Sequence, residues 1–198
     1  MAVDQVHDSQ QVYRALLHSM SRPGTISSVE SVAVDSDFQL PCYDTTMLTV
    51  LTLLDAEVTF HIISTKNKGL IEKISEYTLA KFAPVNKADY VIVLRDATEA
   101  EIIHAMAQCK NGNLRNPHTS ATWIMESSPL SSKAELRLSG PGIKNTATLK
   151  VSFTPEMWKA RNERTKEYPL GIDLIFTDLR NQVACVPRTA LVEIEEVY

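Results

Sequence analysis

The chain has 198 residues, of which 44% are hydrophobic and 22% charged, and its formal net charge is −4. These proportions are typical of a globular protein large enough to bury a core, and the length favours one domain over residues 1–198. The acidic balance and the lack of a basic cluster argue against binding to nucleic acid or to an anionic membrane surface.

The cysteines and the first residues bear on where the protein acts. The N-terminal residues have neither the positive charge nor the apolar run of a signal peptide, and no apolar stretch is long enough to span a bilayer. Cys42, Cys109 and Cys185 are widely spaced and form neither a CxxC motif nor a zinc-binding pattern. These features predict a cytoplasmic protein with free thiols, none of them a catalytic nucleophile.

The first half of the chain alternates between helical and strand-like segments. Apolar spacing predicts helices beginning at Asp8 or Ser9, at Asp44, at Gly69 and, through a capping box with Glu101, at Thr98. Strands are predicted over residues 25–34, 58–63 and 88–94. The last strand is apolar almost throughout, as is typical of strands covered on both faces.

The second half is rich in strands. They are predicted over residues 121–125, 134–138, 146–152, 172–177, 182–186 and 190–194, and the fourth and fifth form a hairpin. One helix, capped by Thr154 with Pro155 in its first turn, interrupts them. We therefore expect a single three-layer α/β/α domain with a mixed sheet.

The loop Ser139-Gly140-Pro141-Gly142 raises the question of a phosphate cradle. A P-loop would place a helix after the glycines, but the following residues 146–151 alternate like a strand. Pro141 also removes a backbone donor from the middle of the loop. The physical pattern favours a turn, in which Gly140 and Gly142 leave room for close approach by a ligand or by a neighbouring chain.

Four polar residues are candidates for binding a ligand or partner. Arg22 and Arg188 lie beside prolines at the ends of elements, where a guanidinium can recognise carboxylate or phosphate or can serve a structural role. His118 lies in a predicted loop. Asp173 opens an apolar strand and needs a partner if it is buried, which either Arg22 or Arg188 could supply.

No catalytic set or cofactor site emerges from the remaining residues. The five histidines form no HxH, HxxxH or HExxH pair, so no metal site is predicted. No GxSxG or GxGxxG motif is present. The eleven lysines lie on predicted polar helix faces or in loops, without the anion pocket that a pyridoxal phosphate lysine requires. We predict no cofactor.

An ordered set of motifs resembles one family, PhnH, the H subunit of the bacterial carbon–phosphorus lyase system. The motifs span nearly the whole chain: 13–24 (YRALLHSMSRPG), 46–55 (TMLTVLTLLD), 88–96 (ADYVIVLRD), 117–122 (PHTSAT), 136–143 (LRLSGPGI), 168–175 (YPLGIDLI) and 186–189 (VPRT). There are two departures from the family pattern. Tyr13 and Tyr168 replace the usual Phe, and Thr119-Ser120 replaces a residue pair that usually ends in Gly.

The resemblance implies a subunit that forms a homodimer when isolated and assembles with the G, I and J subunits. That complex is needed for making ribose 1-methylphosphonate 5-triphosphate from ATP and methylphosphonate. The implied fold is similar to the large domain of pyridoxal-phosphate transferases, without the cofactor. The family provides no established catalytic residue to assign to this chain.

Three hypotheses follow. The first is an accessory subunit that positions catalytic partners and makes no bonds itself. The second is a subunit with its own site for a phosphonate, ribosyl phosphate or nucleotide, built from Arg22, His118, Arg188 and the Gly140 and Gly142 backbone. The third is a stand-alone α/β enzyme unrelated to phosphonates.

Overall fold

A computed structural model of the protein describes residues 5–29, 40–65, 67 and 69–194. Within them lie five α-helices: α1 (Gln5–Ser21), α2 (Asp44–Leu53), α3 (Leu70–Thr78), α4 (Glu99–Gln108) and α5 (Pro155–Arg164). The strands are β1 (Ile26–Ser28), β2 (Thr59–Ile63), β3 (Lys81–Phe82), β4 (Tyr90–Val93), β5 (Thr122–Glu126), β6 (Ser131–Ser139), β7 (Ala147–Lys150), β8 (Asp173–Thr177), β9 (Gln182–Val186) and β10 (Leu191–Ile194).

Seven strands form a mixed sheet in the order β1-β9-β8-β5-β4-β2-β3. Strands β3, β2, β4, β5 and β8 are parallel, and β9 is antiparallel to both of its neighbours. Six of the seven strands therefore begin at one edge of the sheet, here called the amino edge, and end at the opposite carboxyl edge. The central parallel strands β4, β5 and β8 are largely buried and mostly apolar, as is typical of strands with both faces covered.

The two faces of this sheet have separate cores. On one face α1, α2 and α3 pack against buried residues that include Phe60, Ile92, Ile124 and Ile175. On the other face α4 and α5 pack against a core that contains Trp123, Phe176 and Trp158. Trp158 and Phe176 both contact the ring of Phe153, with centroids 4.5 Å and 5.8 Å from it.

A second sheet shares the face covered by α4 and α5. Strands β10, β6 and β7 form it, in that order and all antiparallel, and its buried residues Leu136, Leu138 and Leu149 join the second core. The α/β class and the mixed sheet are thus as predicted, but the expectation of one sheet between two helical layers was incomplete. The strand-rich second half divides between the two sheets.

Several local signals act as predicted. Thr98 and Glu101 form a reciprocal capping box on α4, and Thr154 caps α5 with Pro155 in the first turn. The threonines of α2 are compatible with a helix because Thr49 and Thr52 donate to carbonyls four residues earlier. Strands β8 and β9 form the predicted antiparallel hairpin.

Other boundaries were wrong. Helix α1 begins at Gln5, before the predicted caps Asp8 and Ser9. One or two short strands were predicted within residues 25–34; β1 covers residues 26–28, and residues 30–34 lie outside the described ranges. The short edge strand β3 carried no sequence signal and was missed. His118 lies in a 3₁₀ turn over Pro117–Thr119 where a loop was predicted.

Candidate functional site

The structure brings the six candidate residues from the sequence to the amino edge of the large sheet. Asp173 opens β8, and Arg188 follows the end of β9, which runs in the opposite direction. His118 lies in the turn that precedes β5. Arg22 lies in the connection between α1 and β1. The loop with Gly140 and Gly142 packs against that connection. Residues far apart in sequence thus share one region.

Asp173 has Arg188 as its partner. The Nε of Arg188 donates to both carboxylate oxygens, at 3.2 Å and 3.1 Å, and its Nη2 makes a further short contact to Oδ2. The backbone N–H of Arg188 donates to Asp173 Oδ1 at 2.7 Å, and Nη1 donates to the Pro117 carbonyl at 2.6 Å. This pair therefore joins β8, the end of β9 and the 3₁₀ turn, with its hydrogen bonds directed at the protein itself.

The glycines of the loop allow two chain segments to approach closely. A Cβ on Gly142 would lie 2.1 Å from the carbonyl oxygen of Ser21, and one on Gly140 would lie 3.0 Å from that of Thr189. Both glycines have positive φ, at 82° and 123°. The loop connects β6 to β7 as a corner, as predicted. Gly142 makes room for the end of α1 and Gly140 for the segment that follows β9, both in the same chain.

Arg22 and His118 are the members of the group with exposed polar side chains. The Nη1 of Arg22 lies 2.7 Å from Nδ1 of His18, one helical turn earlier. Their exposure leaves Arg22 and His118 accessible at the amino edge, whereas Asp173 and Arg188 are largely covered, each with 17% of its side chain exposed.

Arg161 is a buried charged residue that was not among the candidates from the sequence. It is only 1% exposed, and it donates to the carbonyls of Ala190 at 3.0 Å and Pro187 at 2.7 Å. Burial lowers the pKa of its guanidinium to about 10, an effect that the charge of Asp173 opposes. Arg161 thereby fixes the chain that follows β9. Its position on the inner face of α5, three residues after Trp158, was the available signal.

The carboxyl edge contains a buried carboxylate, Glu126, at the end of β5. Glu126 is 7% exposed and accepts hydrogen bonds from the backbone N–H of Tyr43 at 2.5 Å and of Arg95 at 3.1 Å, and from the Thr46 hydroxyl at 3.1 Å. Tyr43 is the N-cap residue of α2. A side-chain carboxylate of the chain thus occupies the helix N-terminus, a position suited to anions.

A second buried carboxylate, Asp178, closes the turn between β8 and β9. It is fully buried and accepts from the backbone N–H groups of Leu130 at 2.8 Å, Arg180 at 2.8 Å and Gln182 at 3.0 Å. Thr45 of α2 donates to the Asp178 carbonyl at 2.9 Å. These bonds organise the turn around Asp178.

Burial shifts the pKa of Glu126 and of the three cysteine thiols. Desolvation raises the pKa of Glu126, although the hydrogen bonds that it accepts act in the opposite direction. Burial, with the charges of Glu126 and Asp44, raises the pKa of Cys42 to about 12, and burial also raises that of Cys109 and Cys185. The thiols are free and protonated at neutral pH, which makes them poor nucleophiles.

A signal for Glu126 and Asp178 was present in the sequence. Each comes at or directly after the end of an apolar strand, TWIME and DLIFT respectively. A carboxylate in such a place needs partners, and the backbone donors of the neighbouring loops supply them.

Among the described residues, no group of three His, Cys, Asp or Glu side chains is placed to hold a metal ion. No described helix is both long and apolar enough to cross a membrane.

Comparison with known proteins gives the chain a family. It is 26% identical over 196 residues to a protein of Rhizobium meliloti (strain 1021) named alpha-D-ribose 1-methylphosphonate 5-triphosphate synthase subunit PhnH, covering 97% of this chain and 94% of that one. It is 39% identical over 88 residues to a Stutzerimonas stutzeri protein named as the C-P lyase subunit HtxG, an alignment that covers 44% of this chain and 45% of that one. The model of the family described as bacterial phosphonate metabolism protein (PhnH) matches residues 2–193, so the chain belongs to the PhnH family.

Proposed function

We propose that this chain is an accessory subunit of a carbon–phosphorus lyase complex in phosphonate catabolism. In this role it is needed for making ribose 1-methylphosphonate 5-triphosphate from ATP and methylphosphonate. The observation that carries the proposal is the family match over residues 2–193, together with the Rhizobium relative that aligns over nearly the full length of both chains.

The side chains at both edges support an accessory role. Asp173 and Arg188 bind each other at the amino edge, while Glu126 and Asp178 accept backbone hydrogen bonds at the carboxyl edge. A general acid or base needs a proton-transfer position open to substrate. These four groups direct their hydrogen bonds inward and stabilise the fold.

The proposal includes the further features that the family resemblance implies. Residues 1–198 form a single PhnH-like domain related to the large domain of pyridoxal-phosphate transferases, without the cofactor. Glu126 supports the proposed absence of the cofactor, because a cofactor phosphate at the α2 N-terminus would be repelled by the Glu126 carboxylate. The subunit is cytoplasmic, forms a homodimer when isolated, and assembles with the G, I and J subunits.

Reconstitution tests this function. The G, I and J homologues from the same source are purified with and without this chain, and the chain is also purified alone. Each sample is assayed for adenine release from ATP and methylphosphonate, with the ATP-binding subunit present. We expect the chain to enter one stoichiometric particle and to be required for turnover, while the chain alone gives none. Turnover by the chain alone would show that it is itself catalytic, and failure to associate would exclude the subunit role.

A second candidate function is a small-molecule site at the amino edge. The grouping of Arg22, His118 and the Arg188–Asp173 pair within one region favours it, since exposed cationic and imidazole groups can bind a phosphonate, ribosyl phosphate or nucleotide. Calorimetric titration of the chain with ATP and with methylphosphonate tests this site. Heat that is lost in an Arg22→Ala/His118→Ala double variant would support it, and no heat at millimolar ligand would exclude it.

A further inference from the structure

An apolar groove runs between the exposed side of α1 and the end of α2. Its floor and walls include Leu16, Met20, Leu53 and Tyr90, and at the amino edge it deepens into an open pocket of about 180 Å³. A wider depression of about 340 Å³ continues it along α1, past Tyr13, to Ser9 and Thr52. The groove therefore follows α1 from Ser9 to Met20, which is roughly three helical turns.

Two large apolar side chains of α1 stand partly in solvent beside this groove. Tyr13 is 52% exposed and Leu17 is 55% exposed, and they are four residues apart, hence on the same side of the helix. Single exposed apolar residues are ordinary on a protein surface. Here two of them adjoin a concave apolar surface, which is the arrangement found at binding grooves.

The α1 rim of the groove is basic, although the chain as a whole has a net charge of −4. Arg14, His18 and Arg22 are exposed and recur every four residues, which places them in a row beside Tyr13 and Leu17. Residues 9–22 contain no acidic side chain. The opposite side of the groove is acidic, because the charges of Asp89 and Asp55 act on Tyr90. A partner helix with its acidic residues on the side that faces α1 would complement the α1 rim.

The walls of the groove also decide which kind of segment fits. They consist mainly of helix side chains, and the backbone groups inside α1 and α2 bond within their own helices. An added β-strand would find no backbone partners there, whereas an amphipathic helix needs only side-chain contacts. We propose that the groove between α1 and α2 binds an acidic amphipathic helix of a partner subunit. This inference rests on the proposed function, because it places the groove in the assembled complex.

The test measures binding of the full chain to the purified G–I–J assembly. Leu17→Glu adds a negative charge to the α1 wall of the groove. We expect the dissociation constant to rise at least about tenfold, as for a residue on which an interface depends. Leu114→Glu is the matched control, because Leu114 is 64% exposed and lies outside the groove. We expect it to change binding less than about twofold. Tyr13→Ala is the milder second variant, and thermal melts verify that each variant is folded.

Charge and position are tested separately. Arg14→Glu should weaken binding and reduce its dependence on salt, because it removes the attraction to acidic residues. A photo-crosslinker at position 17 of the assembled complex should label an acidic helix of another subunit. Equal binding by the Leu17→Glu and Leu114→Glu variants, or crosslinking to a second copy of this chain, would overturn the inference while the subunit role stands. If the unmodified chain does not bind the G–I–J assembly, the subunit role and the inference both fail.

Discussion

The two edges of the large sheet use charged residues in different ways. At the amino edge, charges bind one another and segments distant in sequence meet, as where Arg188 joins Asp173 to the turn that contains Pro117. At the carboxyl edge, Glu126 and Asp178 accept hydrogen bonds from backbone N–H groups. In open α/β sheets the carboxyl edge is the usual ligand site. In this chain the described part of that edge is filled by its own carboxylates, which is consistent with a structural role.

The largest expected effect concerns the carboxyl edge. Glu126→Ala leaves the buried N–H groups of Tyr43 and Arg95 without their acceptor, and we expect a loss of about 3–5 kcal/mol in the free energy of unfolding. Urea denaturation measures it. Glu101→Ala is the control, since Glu101 also caps a helix but is exposed. Equal losses in the two variants would show that the burial of Glu126 adds nothing to the free energy lost when a capping carboxylate is removed.

The next prediction tests the pair at the amino edge. Arg188→Met leaves the largely buried Asp173 carboxylate without its guanidinium partner, and we expect a loss of about 2–3 kcal/mol, measured by urea denaturation. Arg22→Met, at the exposed arginine of the same edge, should have a much smaller effect. If Arg22→Met destabilises the protein as much as Arg188→Met does, the division between covered and accessible arginines is wrong.

A third prediction separates backbone conformation from close packing in the glycine loop. Gly142→Ala places a Cβ against the Ser21 carbonyl, and we expect a loss of about 2 kcal/mol or more, seen as a lower melting temperature. Gly69 has a similar φ of 79° but open space around it, so Gly69→Ala isolates the conformational cost, which is about 1 kcal/mol. A Gly142→Ala variant as stable as Gly69→Ala would mean that the loop moves aside without cost.

The smallest effect is a difference in pH dependence between the two edges. Burial acts to raise the pKa of Asp89, before β4, but hydrogen bonds from Lys110 and Thr59 outweigh it and lower the pKa. The contribution of Asp89 to stability is therefore lost as the pH falls through its pKa, and the cost of Asp89→Asn should shrink in acid. Desolvation raises the pKa of Glu126, so the stability that its protonated form contributes is lost as the pH rises through its pKa.

Equilibrium unfolding of both variants from about pH 3 to about pH 7 measures these opposite slopes. The cost of Glu126→Gln should be greatest in acid and should decrease as the pH rises. Parallel curves for Asp89→Asn and Glu126→Gln would contradict the assignment of opposite shifts to the two edges.

Much of the fold was accessible from the sequence because it depends on local interactions. The capping box of α4, the Thr154 cap of α5 and the β8–β9 hairpin are set by residues close together in the chain, and each was predicted. Strand β3 has only two residues, too few for a periodic signal, and the division of the second half between two sheets depends on long-range packing.

The sequence by itself determined the helices and most strands, the family motifs and the turn at Gly140 and Gly142, because spacing and backbone preference act locally. Only the tertiary structure decided that Arg188 rather than Arg22 pairs with Asp173, and that Ser21 lies against Gly142. It also brought Tyr43 to Glu126 across 83 residues. Such contacts depend on how the layers pack, and a buried carboxylate requires donors without specifying which segment supplies them.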